Sequence, residues 1–569
     1  MSENLVEDPF YSIDAVMYES KKKKNPNIPV DPKDLEEDVK GKKMKITFDG
    51  VKLVYNKHVL LVDDMIAVAS AKPKEIIIHS LPRIGKGYRE RYWKKSKIVF
   101  ATREQASEWF NIVNTAIENG RYTERSERGP IVEFKDDTRV KRVRVIVNPH
   151  GGKGDAQQVF NTRILPLLQL AGIQCDLEIT KYYANAKDMA ITHEPDKYEG
   201  VLLVSGDGLV NEFVNGLMQR VDSCYAIYNT PICHVSAGTQ NQISGGIGTT
   251  CYETAAYCII KHKVKALDVL RVSPKNMPIQ YSLCGVVAGI GGDMVKDYES
   301  YRVYGCMRYP LLKLKWGVFK RQKHVTDLEY TPVSDRIQHY QMHKCSRTKA
   351  NCPVCIDGHH NYFYKPLKCP HAPNNQDEDK MIHPEDSSDS DSDSLDSLVL
   401  PAGFSAACSC EYPRWCQLVS NREWISDDLF EITQEEEGCC GRRKRVVEEN
   451  HTERVVTVQK PVEETDLQYL TIGIVVNAPY DGEYCHCCDG SLDLIVARSG
   501  TCCQTVGLLG RYVTRTHLKS PLMDYIKAKS VVLRNPGENT VNVDGEELTY
   551  EDELKVEVCE AGVTCYGEL

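Results

Sequence analysis

Residues 201–217, VLLVSGDGLVNEFVNGL, set Asp207 between Gly206 and Gly208 at the point where an apolar run ends and an amphipathic one begins. Leu209, Val210, Phe213, Val214 and Leu217 share one helical face, so Ser205, Gly206, Asp207 and Gly208 fall at a helix N-terminus, where the macrodipole favours negative charge. The two glycines let a substrate come close to the backbone, and Glu212 follows within the first helical turns. A carboxylate in that position can accept the proton of an alcohol as the alcohol attacks a phosphoryl group. As a plain helix N-cap the same aspartate would have no catalytic duty.

A second turn of this kind lies in VRVIVNPHGGKG. The strand ends at Asn148, and Gly151, Gly152 and Gly154 permit backbone angles that aim several N–H groups at one anion. The spacing is not GxxxxGK[ST], because one residue separates Gly152 from Gly154 and neither Ser nor Thr follows Lys153. By itself the loop reads equally well as a phosphate cradle or a tight turn. Cys352 and Cys355 have the CxxC spacing of a zinc knuckle, with Cys345, His359, His360, Cys369 and His371 as candidates to complete four ligands; reduced structural thiols are the alternative. YCHCCDG, at 484–490, is a weaker case of the same pattern.

The elements that must position these residues follow from the wider pattern. A chain of 569 residues exceeds what one core supports, so several domains are expected. A net charge of −9 argues against a general nucleic-acid binder. The acidic start and the lack of about 18 consecutive apolar residues point to a soluble, cytoplasmic protein. Its 23 cysteines then read as reduced thiols with a candidate metal site. Residues 1–40 read as a flexible tail. Over 41–125 the runs MKITF, VKLVY, HVLLV, EIIIHS and SKIVFA predict a small antiparallel sheet. A helix closes it, carrying Trp109, Ile112, Val113, Ala116 and Ile117 on one face behind a Thr102/Gln105 capping box.

Residues 139–265 alternate strand, glycine-bearing loop and helix, which predicts a parallel α/β sheet with ligands at the carboxyl ends of its strands. Residues 266–335 and 467–569 read as a largely antiparallel second domain. Between them, 336–466 forms a Cys-rich and acidic insertion, partly disordered because NQDEDKMIHPEDSSDSDSDSLDSL buries too little apolar surface to order itself.

NPHGGKG, SGDGLVNE, VSAGTQN, YRVYGCMR and NVDGEEL, in this order, resemble the family of diacylglycerol, sphingosine and ceramide kinases. The sheet with its Trp helix resembles a pleckstrin-homology domain. The resemblance implies an ATP-dependent lipid kinase with an α/β nucleotide domain, an antiparallel β-sandwich domain and ATP between them. It implies nucleotide contacts at Asn148, Pro149, His150, Gly151 and Gly152, at Thr180, Lys181, Tyr182, Tyr183 and Ala184, and at Glu212. Further contacts fall to Gly238, Thr239 and Gln240, to Arg302 and Arg308, and to Asp544, Gly545 and Glu546. Two arginines suit phosphate oxygens, since guanidinium offers planar donors and a fixed charge. Asp489 and Asp493 match a segment whose carboxylates help hold magnesium. The chain departs from the family at His150, at TKYY and at Thr239 and Gln240.

The family's sphingosine kinases carry a second acid two positions after the residue matching Asp293; here that position is Val295. An ammonium against valine would cost several kcal/mol, roughly the penalty of an unpaired buried charge, whereas a neutral amide would not. GIGGDMVKDYESYRVYGCMRY and CSRTKANCPVC also resemble the ceramide branch, so the expected reaction is phosphorylation of the primary hydroxyl of ceramide. Sphingosine or diacylglycerol phosphorylation, and an inactive lipid-binding adaptor, are the alternatives. The basic runs at 21–24 and 441–445 suit either an anionic membrane surface or solvent. VGLLGRYVTRTHLK, at 506–519, reads as a calmodulin-binding segment or a core helix.

Overall fold

The computed structural model describes residues 11–19, 42–121, 141–333 and 461–568, apart from short breaks at 57, 86–87, 299, 308–310, 313, 320–323, 478–483 and 515. Cys345, Cys352, Val354 and Cys355 are described as well. The basic runs, the acidic tract, Arg308, His359, His360, Cys369 and His371 lie outside the described residues.

Seven strands form the amino-terminal sheet: β1 (Tyr11–Glu19), β2 (Lys42–Phe48), β3 (Lys52–Tyr55), β4 (His58–Leu61), β5 (Met65–Lys72), β6 (Glu75–Ser80) and β7 (Lys94–Val99), in the order β4-β3-β2-β1-β7-β6-β5. The Arg103–Asn119 helix closes it, burying Trp109, Val113 and Ile117, and the Thr102/Gln105 capping box forms in both directions. The expected tail is corrected here, because residues 11–19 form a central strand. Tyr11, Ile13, Ala15 and Met17 alternate towards the core, a period-2 signal obscured by the polar sequence on either side.

Four parallel strands follow: β8 (Arg142–Val147), β9 (Gln174–Ile179), β10 (Val201–Ser205) and β11 (Ile232–Ser236), in the order β11-β10-β8-β9. Nearly every residue of β8, β10 and β11 is buried, as expected of parallel strands with helices on both faces. The remaining strands are β12 (Val264–Pro274), β13 (Gln280–Ser282), β14 (Gly285–Gly289), β15 (His324–Pro332), β16 (Val462–Val475), β17 (Leu492–Arg498), β18 (Met523–Val543) and β19 (Glu546–Tyr566). They pair antiparallel with one another. They do not form a sheet apart from the parallel strands: the end of β19 joins β11 at Ile232 and Cys565, making one twelve-stranded sheet. The expected insertion also contributes to the folded body, since Cys352, Val354 and Cys355 are buried in its core and β16 begins at Val462.

The amino-terminal sheet docks on the Tyr252–Ile260 helix and on the carboxyl end of the chain. Arg91 lies 3.4 Å over the Tyr257 ring and pairs with Asp64 at 2.7 Å and Glu568 at 3.0 Å. Tyr257 donates to Asp63 at 2.6 Å, and the Lys261 ammonium to the Val62 carbonyl at 3.0 Å. Ile66 and Leu81 enter the core that backs the parallel strands. Among the described residues, no helix is long and apolar enough to cross a membrane.

His193 is buried between β8 and the Asp207–Met218 helix. It stacks on Tyr198, meets Phe213 edge-on and holds the Arg144 guanidinium 3.3 Å from its Nδ1. Burial, reinforced by Arg144 and Arg220, pushes its pKa down to about 3. The unfolded chain takes up this proton near pH 6.5 and the folded chain resists it, so the stabilisation is complete above pH 6.5 and is lost as the pH falls towards 3. Urea unfolding should show His193→Gln losing about 2–3 kcal/mol less than the parent between pH 6.5 and 4.5. Identical losses would show that His193 carries no such linkage.

Candidate active site

Three turns at the carboxyl ends of β8, β10 and β11 meet backbone to backbone. A Cβ at Gly152, where φ is +56°, would lie 2.2 Å from the Ala237 carbonyl oxygen, and one at Gly238 would lie 2.3 Å from the Gly206 Cα. Such an approach needs glycine, because any side chain would push the turns apart. The result is a floor made of main chain, with Gly151 half-buried and Gly152, Lys153 and Gly154 exposed at its edge.

Asp207 opens the Asp207–Met218 helix beside this floor, and its apolar face, Leu209, Val210, Phe213, Val214 and Leu217, is buried as the sequence predicts. The carboxylate is held from the third turn: Oδ2 accepts from the Gln242 amide at 3.0 Å and Oδ1 from the Ile243 amide at 2.9 Å. Its side chain retains 15% exposure. Asn241, at φ +52°, sets up those amides by accepting from the Gly238 amide at 2.9 Å and donating to the Gly238 carbonyl at 3.0 Å. Gln240 and Thr239 are exposed on the same turn. Ser205 is buried, its hydroxyl donating to the Gly206 carbonyl at 2.8 Å.

His234, which the motifs did not single out, lies beneath Asp207. It is fully buried in β11, with Nε2 3.0 Å from the Ser205 carbonyl and Nδ1 3.7 Å from Asp207 Oδ1. Burial lowers its pKa despite the opposing pull of Asp207, and Nε2 is placed to donate to the Ser205 carbonyl. The one available signal was a histidine inside the apolar run ICHVS.

The other expected contact residues lie on the turns after β8, β9 and β18, in the Asp207–Met218 helix and at Arg302. Asn148 accepts from the His150 amide at 2.9 Å, with Pro149 half-buried between them and His150 exposed. Thr180 is buried and donates to the Val147 carbonyl at 3.4 Å, while the Lys181 amide donates to Asn185 at 3.0 Å. Tyr182 and Tyr183 project into solvent, and Ala184 takes the left-handed conformation at φ +61°. Burial raises the Glu212 carboxyl, aided by nearby Glu546 and opposed by hydrogen bonds to the Ala184 and Ala186 backbone. Glu546 also acts on the Tyr183 hydroxyl, so Tyr183, Glu212 and Glu546 converge across the chain. Gly545, at φ +99°, makes the turn that presents Glu546. Asp544 has another role: its carboxylate accepts from Ser282 Oγ and the amides of Leu283, Cys284 and Gly285 at 2.7–3.0 Å, which pins the β18–β19 turn. Arg302 opens a short 3-10 helix, Arg302–Met307.

Asp489 and Asp493, expected near magnesium, are paired with a protein cation. The Lys527 ammonium lies between them, 2.9 Å from Asp489 and 2.8 Å from Asp493, and all three side chains are at most 2% exposed. The two carboxylates are thus neutralised within the fold by the Lys527 ammonium. Burial raises the Asp493 carboxyl, with Lys527 and the Tyr525 hydroxyl at 2.5 Å opposing the rise. Cys352 and Cys355 gather with Cys345 and with His486 from YCHCCDG. Leu508, inside the stretch read as calmodulin-binding or core, is buried in the core.

Lys527→Met should therefore strand two buried carboxylates and destabilise the fold by about 3–5 kcal/mol, seen as a lowered Tm. Adding Asp489→Asn and Asp493→Asn should recover part of that loss. A silent single variant would show that the triad contributes nothing.

With this geometry in place, comparisons locate the chain among known proteins. Residues 142–272 match the family model of the diacylglycerol kinase catalytic domain. Sphingosine kinase 1 of Arabidopsis thaliana is 33% identical over 216 residues, 37% of this chain and 44% of that protein. Ceramide kinase of Homo sapiens is 28% identical over 258 residues, 43% of this chain and 44% of that protein. The chain thus spans less than half the length of these relatives. A putative diacylglycerol kinase from Bacillus anthracis str. Sterne aligns with 77% of this chain and 98% of its own, at 15% identity and a TM-score of 0.44. Over residues 142–272 the chain is thus similar to the diacylglycerol kinase catalytic domain, and over part of its length to proteins named sphingosine kinase and ceramide kinase.

Proposed function

We propose that the protein is an ATP-dependent lipid kinase that phosphorylates the primary hydroxyl of ceramide at a membrane surface. The observation that carries this reading is the placement of Asp207. Each oxygen of its carboxylate accepts one amide hydrogen bond and keeps a further lone pair, so the group is oriented without being used up. It stands at the rim of a floor built from main chain, where a phosphate can approach without meeting side chains. Asp207 would take the hydroxyl proton of the lipid as that oxygen attacks. ATP supplies the phosphoryl group when bound. Asn148 to Gly152, Thr180 to Ala184, Glu212, Gly238 to Gln240, Arg302, Arg308 and Glu546 would hold it. Magnesium is the divalent cation such chemistry uses, and Asp489 and Asp493 do not fit as its ligands.

Ceramide is favoured over sphingosine by Val295, which ends the Ile290–Val295 helix as a buried apolar residue. Asp293, two residues before it, has its Oδ2 3.2 Å from His324 Nε2. An incoming ammonium would therefore find valine where a carboxylate is needed, and a neutral amide would not bear that cost. Downstream, Leu312 and Trp316 anchor in the core, while Val303, Tyr304, Met307, Leu314 and Phe319 are exposed. An apolar face of this kind suits acyl chains or a bilayer surface. In this reading the amino-terminal sheet is a pleckstrin-homology-like domain over 41–125, extended by β1, that helps direct the enzyme to lipid.

Labelled ATP offered with ceramide, sphingosine and diacylglycerol in mixed micelles should give product mainly from ceramide. Preference for sphingosine would overturn the argument from Val295. Asp207→Asn should lower turnover by about 10²–10⁴-fold while the chain still folds, with a lowered Tm from the one amide hydrogen bond that its NH2 cannot accept. Near-normal turnover in that variant would remove Asp207 from the chemistry.

A further inference from the structure

Cys345, Cys352 and Cys355 come from the segment after β15, and His486 from the loop before β17, yet their ligand atoms all lie within 4.8 Å of one another. Cys345 Sγ is 3.7 Å from Cys355 Sγ, and His486 Nδ1 is 3.5 Å from both Cys352 Sγ and Cys355 Sγ. A disulfide would need about 2.05 Å between sulfurs. Zinc bonds of about 2.3 Å to sulfur and about 2.05 Å to nitrogen, at a tetrahedral angle, instead put sulfurs about 3.8 Å apart and sulfur about 3.6 Å from nitrogen. The observed separations follow that second pattern. Cys352, Cys355 and His486 are buried and Cys345 half-buried, so four protein ligands would enclose the ion with no position for water or substrate.

We propose that Cys345, Cys352, Cys355 and His486 form a closed structural zinc site that fastens the segment after β15 to the loop before β17. This inference stands apart from the proposed kinase activity, since it rests on ligand chemistry and spacing alone. The clamp would hold a loop with several structural duties. The Cys487 carbonyl accepts from the Asp268 amide at 2.8 Å, the Gly490 amide donates to Asp268 Oδ2 at 2.7 Å, and Asp489 pairs with Lys527. Cys352, Val354 and Cys355 belong to the same core as Leu217, Ile232 and Val563, so the clamp would be continuous with the apolar interior. Cys487 is also buried there but is not one of the four clustered ligands.

Full-length protein purified under reducing conditions without chelator should contain one zinc per chain by elemental analysis. Cys355→Ser and His486→Asn should lose it, and Cys487→Ser should keep it. Zinc well below one per chain in the parent, or one full zinc retained by His486→Asn, would overturn the proposal. Should the ligand variants fail to fold, X-ray absorption on the parent decides. Three sulfurs and one nitrogen around zinc are expected, and a four-sulfur shell would replace His486 with Cys487 and refute the assignment.

Discussion

The carboxylate of Asp207, bound by the backbone amides of Gln242 and Ile243, ties two turns of the parallel sheet to each other. β10 delivers the aspartate and the turn after β11 delivers the amides. The relative height of the two strands is therefore tied to the direction in which the carboxylate points. Gly152 and Gly238 serve the same constraint from the side, because only bare backbone lets three strand ends meet so closely. His234 completes it from below by hydrogen bonding to the Ser205 carbonyl just ahead of the aspartate. A carboxylate fixed by main-chain donors loses little rotational freedom when a substrate arrives, which is the value of a preorganised site.

Much of the remaining polar interior holds parts together. Asp544 takes four donors to fasten the β18–β19 turn, Lys527 joins Asp489 to Asp493, and Arg91 links the amino-terminal sheet to Glu568 at the far end of the chain. Buried charges of this sort add little net stability when satisfied but are costly to break. They make the sheets depend on one another: the amino-terminal sheet contacts the helix packed behind β11, and the last strand, β19, bridges the parallel and antiparallel strands. In such a body, a change near the carboxyl terminus is expected to be felt in the first sheet.

Local pattern made several parts legible in advance. The Asp207 helix showed its buried face at helical spacing, the Trp109 helix showed both its face and its capping box, and the glycine turns showed where strands end. Those features depend on neighbours a few residues apart, and side-chain periodicity and capping chemistry report such neighbours directly. The sequence also marked the segment YCHCCDG as a weaker metal candidate, apart from Cys352 and Cys355. Strand β1 was legible in principle, but its alternation stood in polar surroundings and was outweighed by them.

Residue identity alone settled that Asp207 stands between glycines at a helix start, and that Cys352 and Cys355 are spaced to share a metal ion. Only the tertiary structure decided what meets these groups: the Gln242 and Ile243 amides on Asp207, Lys527 between two aspartates expected to hold metal, and His486 beside cysteines more than 130 positions earlier. The reason is physical. A carboxylate satisfies its charge with any donor the fold brings near, and a ligand set closes with any nitrogen or sulfur within reach. Which donor arrives depends on sheet order and chain crossing, and these leave no local trace in the sequence.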